Sequence, residues 1–250
     1  MLGLGSNLTG GIVLSSIEAP AYSLSLDGVS DYVTFTEQTY NVNGSGNNGS
    51  ISFWAKRTDN NDEATILGHS VGISVKRLYF DSDGNRLDIE SEQNSQIANA
   101  PVTQDTNWHH YVVTWAGTTG GSHAQPIMYE DGSALTTTHG DFGVSAGKHF
   151  VVDIIGSGGS SPGGHTAEFK GLIYQLAIWD VTLDADAVAA IYNSGTPIPL
   201  QEDKGNYDNS GDLVNLWRFD EGTGSTTTDA IGSLAGALQG DAAFSSTTPS

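Results

Sequence analysis

The sequence has no cysteine. That excludes disulfides, thiolate zinc sites and cysteine nucleophiles. Small extracellular animal domains often carry a disulfide, so the absence leans towards a microbial or viral source. Basic residues are scarce too. Only 9 Lys+Arg stand against 29 Asp+Glu in 250 residues, giving a formal net charge of −20. A field of that sign repels nucleic acid and anionic lipid surfaces, so neither is expected as a partner. It favours solubility, cation binding or a basic partner surface. No run approaches the ~20 apolar residues that cross a bilayer, so no membrane insertion is expected. The opening MLGLGSNLTGGIVLSSIEAP lacks the basic segment and the apolar core of a secretory signal. With Met1 present, the expectation is a chain made and folded in a cytoplasm and carried outside only by later assembly.

What the chain does have is glycine, 32 residues of it, with 37% hydrophobic and 9% aromatic residues. That suits one large β domain with many tight turns. Residues 1–20 carry one charged side chain, Glu18, among glycine, serine and seven aliphatic residues. They read as an arm rather than as core. Residues 22–36 predict strand, Asp27-Gly28 turn, strand. Ile51 to Lys56 predicts a strand. Leu78-Tyr79-Phe80 and Leu87-Asp88-Ile89 flank Ser82-Asp83-Gly84-Asn85 as a hairpin. Residues 107–115, NWHHYVVTW, predict a strand with Trp108, His110, Val112 and Thr114 on one face and His109, Tyr111, Val113 and Trp115 on the other. Pro126 to Tyr129 predicts its partner, ending at Asp131-Gly132. Phe150 to Ile155 is a further strand. Residues 156–164 read as a long turn and 201–212 as a polar linker.

The stretch 169–195, FKGLIYQLAIWDVTLDADAVAAIYNSG, changes period midway. Leu172, Tyr174, Leu176 and Ile178 alternate with Ile173, Ala177 and Trp179, a strand covered on both faces. Thr182 or Asp184 then caps a short helix bearing Val188, Ile191 and Tyr192 at i, i+3, i+4. Gly195 is the expected C′ residue, and Pro197 blocks continuation.

These segments resemble laminin-G-like jelly rolls of the concanavalin A-like lectin/glucanase superfamily, of the kind found in bacteriophage virion structural proteins. Leu26-Asp27-Gly28 and Asp31-Tyr32-Val33 are similar to the family's opening strand pair. Ile51 to Lys56, Trp108-His109-His110 with Tyr129-Asp131-Gly132, and Gly171, Ile178, Trp179, Leu183, Val188, Ile191 and Tyr192 are similar to later elements. The chain departs where the family places an Asp-Glu pair, which falls on Tyr174 and Gln175. Residues 213–238, with Trp217-Arg218-Phe219-Asp220-Glu221-Gly222, resemble a segment that comes first in many relatives and last here. The resemblance implies a two-sheet antiparallel β-sandwich with one short helix near 183–194. The expected organisation is an arm at 1–20, the jelly roll at 21–200, and a segment at 201–250 that completes or extends the sandwich.

Candidate sites are few. Asp27, Asp31 and Asp220 are oxygen donors near turns and are the candidate calcium ligands; at Asp27 and Asp31 a simple turn-shaping role is the stronger reading. Asp81 to Glu92 has the length of a calcium loop, yet the strand pattern within it makes a hairpin the better reading. Asp88, Glu90 and Glu92 share a strand face, and laminarinase-type relatives use a comparable acidic strand, but the order of residue types differs. A solvated acidic face is preferred, and the expectation is no enzyme activity. His109 and His110 are strand neighbours pointing oppositely, so they do not chelate one ion.

Three functions follow. The first is a non-enzymatic bacteriophage virion protein, a head decoration or tail adhesin. It would meet other virion proteins through residues 1–20, form a homo-oligomer within the assembly and contact host-surface glycans. The second is a bacterial surface or secreted carbohydrate-binding module. The third, and weakest, is a glycoside hydrolase.

Overall fold

The computed structural model describes residues 20–41, 47–58, 62–70, 77–91, 95–117, 125–140, 149–160 and 164–250. In chain order the strands are β1 (Ser23–Asp27), β2 (Tyr32–Asn41), β3 (Gly49–Arg57), β4 (Ala64–Gly68), β5 (Arg77–Phe80), β6 (Arg86–Ser91) and β7 (Ser95–Pro101). They continue as β8 (Trp108–Trp115), β9 (Ile127–Glu130), β10 (Ser133–Ala134), β11 (Thr138–His139), β12 (His149–Ile155), β13 (Gly158–Ser160), β14 (Gly164–Thr166) and β15 (Lys170–Trp179). Helix α1 (Ala185–Tyr192) is followed by β16 (Leu213–Trp217), β17 (Thr226–Thr228), β18 (Ala235–Gln239) and β19 (Ala243–Ser245).

Two antiparallel sheets form a sandwich. One runs β10-β9-β8-β3-β15-β1-β19, with β16 also on β15; the other runs β11-β7-β6-β5-β4-β12-β2-β18-β17. The all-β sandwich with a single short helix is the expected architecture. Strand β15 is its axis. It pairs with β3 along one side, while the other side takes β1 at Lys170–Ile173 and then β16 at Leu176–Trp179.

Alternation is obeyed in β8. Tyr111, Val113 and Trp115 enter the core between the sheets, while Val112 joins a second cluster under α1. It is not obeyed in β15. The register shifts between Tyr174 and Ala177, and Gln175 takes φ 51. This bulge moves the face by one residue. Ile173 therefore joins Leu176 and Ile178 between the sheets, rather than lying opposite them, and Ala177 and Trp179 meet the helix. Gln175 is buried, and its Nε2 donates to the Ile198 carbonyl at 2.7 Å.

The outer face of this sheet is closed by α1. Asp184 is the cap, accepting from Ala187 N at 2.8 Å, whereas Thr182 instead donates to the Trp115 carbonyl. The helix ends at Asn193, in the left-handed region at φ 47, two residues before Gly195. Asn tolerates that conformation through its short polar side chain, so glycine was not required.

Two further stretches differ from expectation. Residues 158–160 and 164–166 pair as β13 and β14. Glycine-rich backbone carries no side-chain signal for pairing. Residues 201–212 hold Tyr207 fully buried, donating to the Leu200 carbonyl at 2.6 Å and accepting from Trp179 Nε1 at 3.2 Å. One aromatic thus pins a polar segment over the outer face. The expected arm at 1–20 lies outside the described residues except for Pro20.

Candidate functional site

The acidic strand comes first. Alternation sends Leu87 and Ile89 of β6 inward, leaving Asp88 and Glu90 on the outer side of the sheet. There Glu90 accepts from Arg77 Nε at 3.1 Å and from Tyr79 Oη at 2.8 Å. Arg77 also pairs with Glu63 and lies 3.7 Å above the Tyr79 ring. Asp88 is fully buried, with Arg86 Nε 3.5 Å away. Burial and the Glu90 charge push the Tyr79 phenol far above its ordinary range. These carboxylates hold arginines in place. Glu92 lies outside the described residues. Asp81 shapes the hairpin, accepting from Asn85 N and Arg86 N at 3.1 Å each.

The three candidate calcium ligands are engaged with the protein. Asp27 Oδ1 accepts from Val29 N at 2.8 Å and from Ser30 N at 3.3 Å. Asp31, 2% exposed, accepts from Asp27 N at 3.0 Å and from Asp241 N at 2.7 Å. Asp220 pairs with Arg218 Nη2 at 2.8 Å. Asp27 and Asp31 share the β1–β2 turn; Asp220 lies beyond β16. Among the described residues no group of three carboxylates or imidazoles is placed to hold an ion. The donor set does not form a calcium cradle as it stands. The β1–β2 turn borders a rim cleft of about 500 Å³ that also meets Arg57, Glu63, Glu168 and Lys170. Among the described residues its walls are charged and carry no aromatic ring. Arg57 is already committed to the Gly84 and Thr103 carbonyls at 2.6 and 3.0 Å.

His109 and His110 lie on opposite faces, as their alternation predicts. His109 Nδ1 meets Asp131 Oδ2 at 2.7 Å, and its Nε2 meets Asp105 Oδ1 at 3.0 Å. The Asp131 hydrogen bond, against some desolvation, raises its pKa to about 9. His110 is buried with Nε2 2.7 Å from Ser52 Oγ. Burial lowers its pKa to about 3, so it stays neutral.

The outer face of His110 leads to the site sequence reasoning did not single out. In the β3–β8 register Trp54 stands opposite His110, and Lys56 opposite Trp108. Trp54 packs at a tilt against His110, with ring centroids 4.8 Å apart, and stacks on Tyr192 at 5.8 Å. Tyr192 ends α1, and its ring is held by the Asp131-Gly132 turn. A Cβ at Gly132 would press on Tyr192 at 3.0 Å, and Gly132 has φ +74. Beside these rings lies a hollow of about 380 Å³ lined by Trp54, Lys56, Asn107, Trp108 and Tyr192 among others. Trp54 forms its packed floor at 1% exposure, while Trp108 and Tyr192 are half-buried walls. Asn107 is exposed, its amide nitrogen donates to Asp105 Oδ2 at 2.8 Å, and its oxygen is an acceptor by type. Alternation alone puts Trp54, Lys56 and Trp108 on the outer face. Only the register and the helix ending bring Tyr192 to them.

No curated protein matches the sequence. Among solved structures, a candidate carbohydrate-binding protein from Bacteroides ovatus superposes with a TM-score of 0.60 at 15% identity, over 92% of this chain and 61% of that one. The chain thus spans about three fifths of that protein's length. A heptameric SAP-like pentraxin from Limulus polyphemus gives a TM-score of 0.47 at 18% identity, over 69% of this chain and 82% of that one. The family model described as the concanavalin A-like lectin/glucanases superfamily matches residues 27–189, from the β1–β2 turn into α1. The chain is therefore a lectin-like jelly roll, and it belongs to the concanavalin A-like lectin/glucanases superfamily.

Proposed function

We propose that this domain binds carbohydrate in the hollow between β3, β8 and α1, and that it does not cleave what it binds. The observation that carries the reading is the aromatic lining, with Trp108 and Tyr192 standing over a Trp54 floor and polar Lys56 and Asn107 at the side. The apolar C–H face of a pyranose covers an aromatic ring while its hydroxyls exchange hydrogen bonds with neighbouring polar groups. Small-ligand sites are concave and fix their ligand with a few placed polar groups, and about 380 Å³ lies in their common size range. The rim cleft is larger, but among the described residues it offers no ring to stack on. The carbohydrate-binding description of the Bacteroides ovatus neighbour accords with this reading. The non-hydrolytic part rests on Asp88 and Glu90, both turned to arginine and tyrosine partners.

A bacteriophage particle component docking through residues 1–20 draws no support from the family or the similar structures, and residues 1–19 lie outside the described part.

The test is a glycan array followed by calorimetry on the best ligand. Trp108→Ala is expected to weaken binding at least about tenfold, equivalent to ~1.4 kcal/mol, with Trp108→Phe retaining part of it. Unchanged affinity in a folded Trp108→Ala protein would remove the hollow from consideration. Release of reducing ends from any bound glycan would overturn the non-hydrolytic part.

A further inference from the structure

We infer that the imidazolium of His109 positions two walls of the hollow, so that sugar binding there depends on its charge. The inference rests on the carbohydrate reading above and adds a regulation of that site. His109 is not among the described residues that line the hollow. It lies on the opposite face of β8 from Trp108. Its two ring nitrogens reach carboxylates on different loops. Nδ1 donates to Asp131 Oδ2 at 2.7 Å, and Nε2 donates to Asp105 Oδ1 at 3.0 Å. A neutral imidazole has one N–H, and its bare nitrogen would face a carboxylate oxygen. Only the doubly protonated ring makes both bonds.

Each carboxylate carries a wall. Asp105 shapes the loop between β7 and β8. Its Oδ1 accepts from Asn107 N at 2.7 Å and its Oδ2 from Asn107 Nδ2 at 2.8 Å. Asn107 and Trp108 line the hollow. Asp131 shapes the turn between β9 and β10, where its Oδ1 accepts from His110 N at 2.9 Å. The next residue, Gly132, packs against the Tyr192 ring, which is another wall. The other charged groups near His109 are Glu130, 3.8 Å from Nδ1, and Arg57, which shares the field of Asp105 and Glu130. Tyr111, with its ring centroid 6.2 Å away, is kept a neutral phenol by burial. Glu130 also accepts from Thr103 N and Oγ1 at 3.0 Å. Those bonds hold the start of the β7–β8 loop and need no proton on His109. Deprotonation therefore loosens the Asn107 end of the loop and the Asp131-Gly132 turn, not the whole sheet edge. The Asp131 hydrogen bond, against desolvation and helped by Asp105 and Glu130, raises the His109 pKa to about 9. The walls are held at neutral pH and released as pH passes through that value.

The experiment is calorimetry between about pH 7 and 10, with the tightest uncharged oligosaccharide of the glycan array as probe. Wild-type affinity is expected to fall about fivefold, the effect of one lost hydrogen-bonded contact, with its midpoint near 9. His109→Gln should bind about fivefold more weakly at neutral pH and show no further decline in alkali. Circular dichroism at each pH establishes that both proteins are folded. The non-exchanging C–H resonances of Asn107 and Tyr192 give a second readout that needs no sugar. They should titrate together near pH 9 in wild type and stay still in His109→Gln. Wild-type binding that ignores pH would overturn the inference and leave the carbohydrate reading standing. So would a variant that binds as tightly as wild type at neutral pH. Lys56 remains in the variant, so an alkaline decline that survives His109→Gln would move the effect to the hollow itself and overturn the inference too. Resonances that titrate as expected in a protein that binds no oligosaccharide would overturn the carbohydrate reading and leave the positioning role of His109 standing. Resonances that do not move would overturn that role.

Discussion

Two adjacent histidines are driven in opposite directions. His109 is held protonated by Asp131 and Asp105, with a pKa near 9, while His110 is held neutral by burial, with a pKa near 3. In the unfolded chain both titrate near 6.5. The contribution of His109 is complete below that value and is lost as pH rises through about 9. The contribution of His110 is complete above 6.5 and is lost as pH falls towards about 3, because only the unfolded chain then takes the proton. Together they place greatest stability near pH 6.5. Asp105, whose desolvation is outweighed by its hydrogen bonds with Asn107 and His109 so that its pKa is lowered, adds to the loss in acid. Urea unfolding across pH 5 to 9.5, at steps of about half a unit, should show both limbs. His109→Gln should flatten the alkaline limb and leave the acid limb. Parallel curves for wild type and variant between neutral pH and 9 would show that the Asp131–His109–Asp105 bridge stabilises nothing.

At the scale of the element, β15 decides most. Gly171 sits at φ +146, and a Cβ there would collide with the Lys56 carbonyl across the β3 ladder. The glycine lets β3 approach where Lys56 leaves for the hollow. Gly171→Ala combines backbone strain with overpacking, and a loss of about 3 kcal/mol or more is expected by chemical denaturation. An unaltered midpoint would mean that β3 can retreat freely. The same strand shows what a sequence can and cannot disclose. Hydrophobic alternation was enough for β8, where Tyr111, Val113 and Trp115 enter the core as expected. It failed in β15 because the bulge at Gln175 inserts one residue, which no period-two pattern reports. Tyr207 lay in a stretch read as polar linker, and the hydrogen bonds that hold it and Gln175 were not legible, since their partners, the Leu200 and Ile198 carbonyls, are backbone groups. Glycine pairing in β13 and β14 was silent for lack of side chains. The acidic residues drew attention by type, and the described ones shape turns or pair with arginine. The hollow was missed because it is made by register, Lys56 against Trp108, and by where α1 stops.

For the whole molecule the notable fact is how the last 50 residues are used. Strand β16 extends one sheet beside β15, β18 pairs with β2 in the other, and β19 returns to β1 in the first. Tyr40 of β2 donates to Asn215 Oδ1 at 2.6 Å, and Asn215 donates to Asp229 Oδ2 at 2.6 Å, joining the two sheets. Trp217 is fully buried, 5.0 Å from Phe35 by ring centroids. Trp217→Ala is expected to cost about 3–5 kcal/mol, with a single lower-temperature transition in calorimetry. Two separate transitions, or an unchanged melting temperature, would show that this segment folds apart from the rest. The pairing of first strand with last also fixes how the domain bears load. Ser23 faces Ser245 and Ser25 faces Ala243, so the start of β1 lies against the end of β19. A pull between residues 22 and 248 acts across that ladder, parting its rungs one after another like a zipper. Shared shear along the strands is not engaged. The domain is mechanically suited to hang from its neighbours as a pendant, and poorly suited to serve as a tensioned link in a chain.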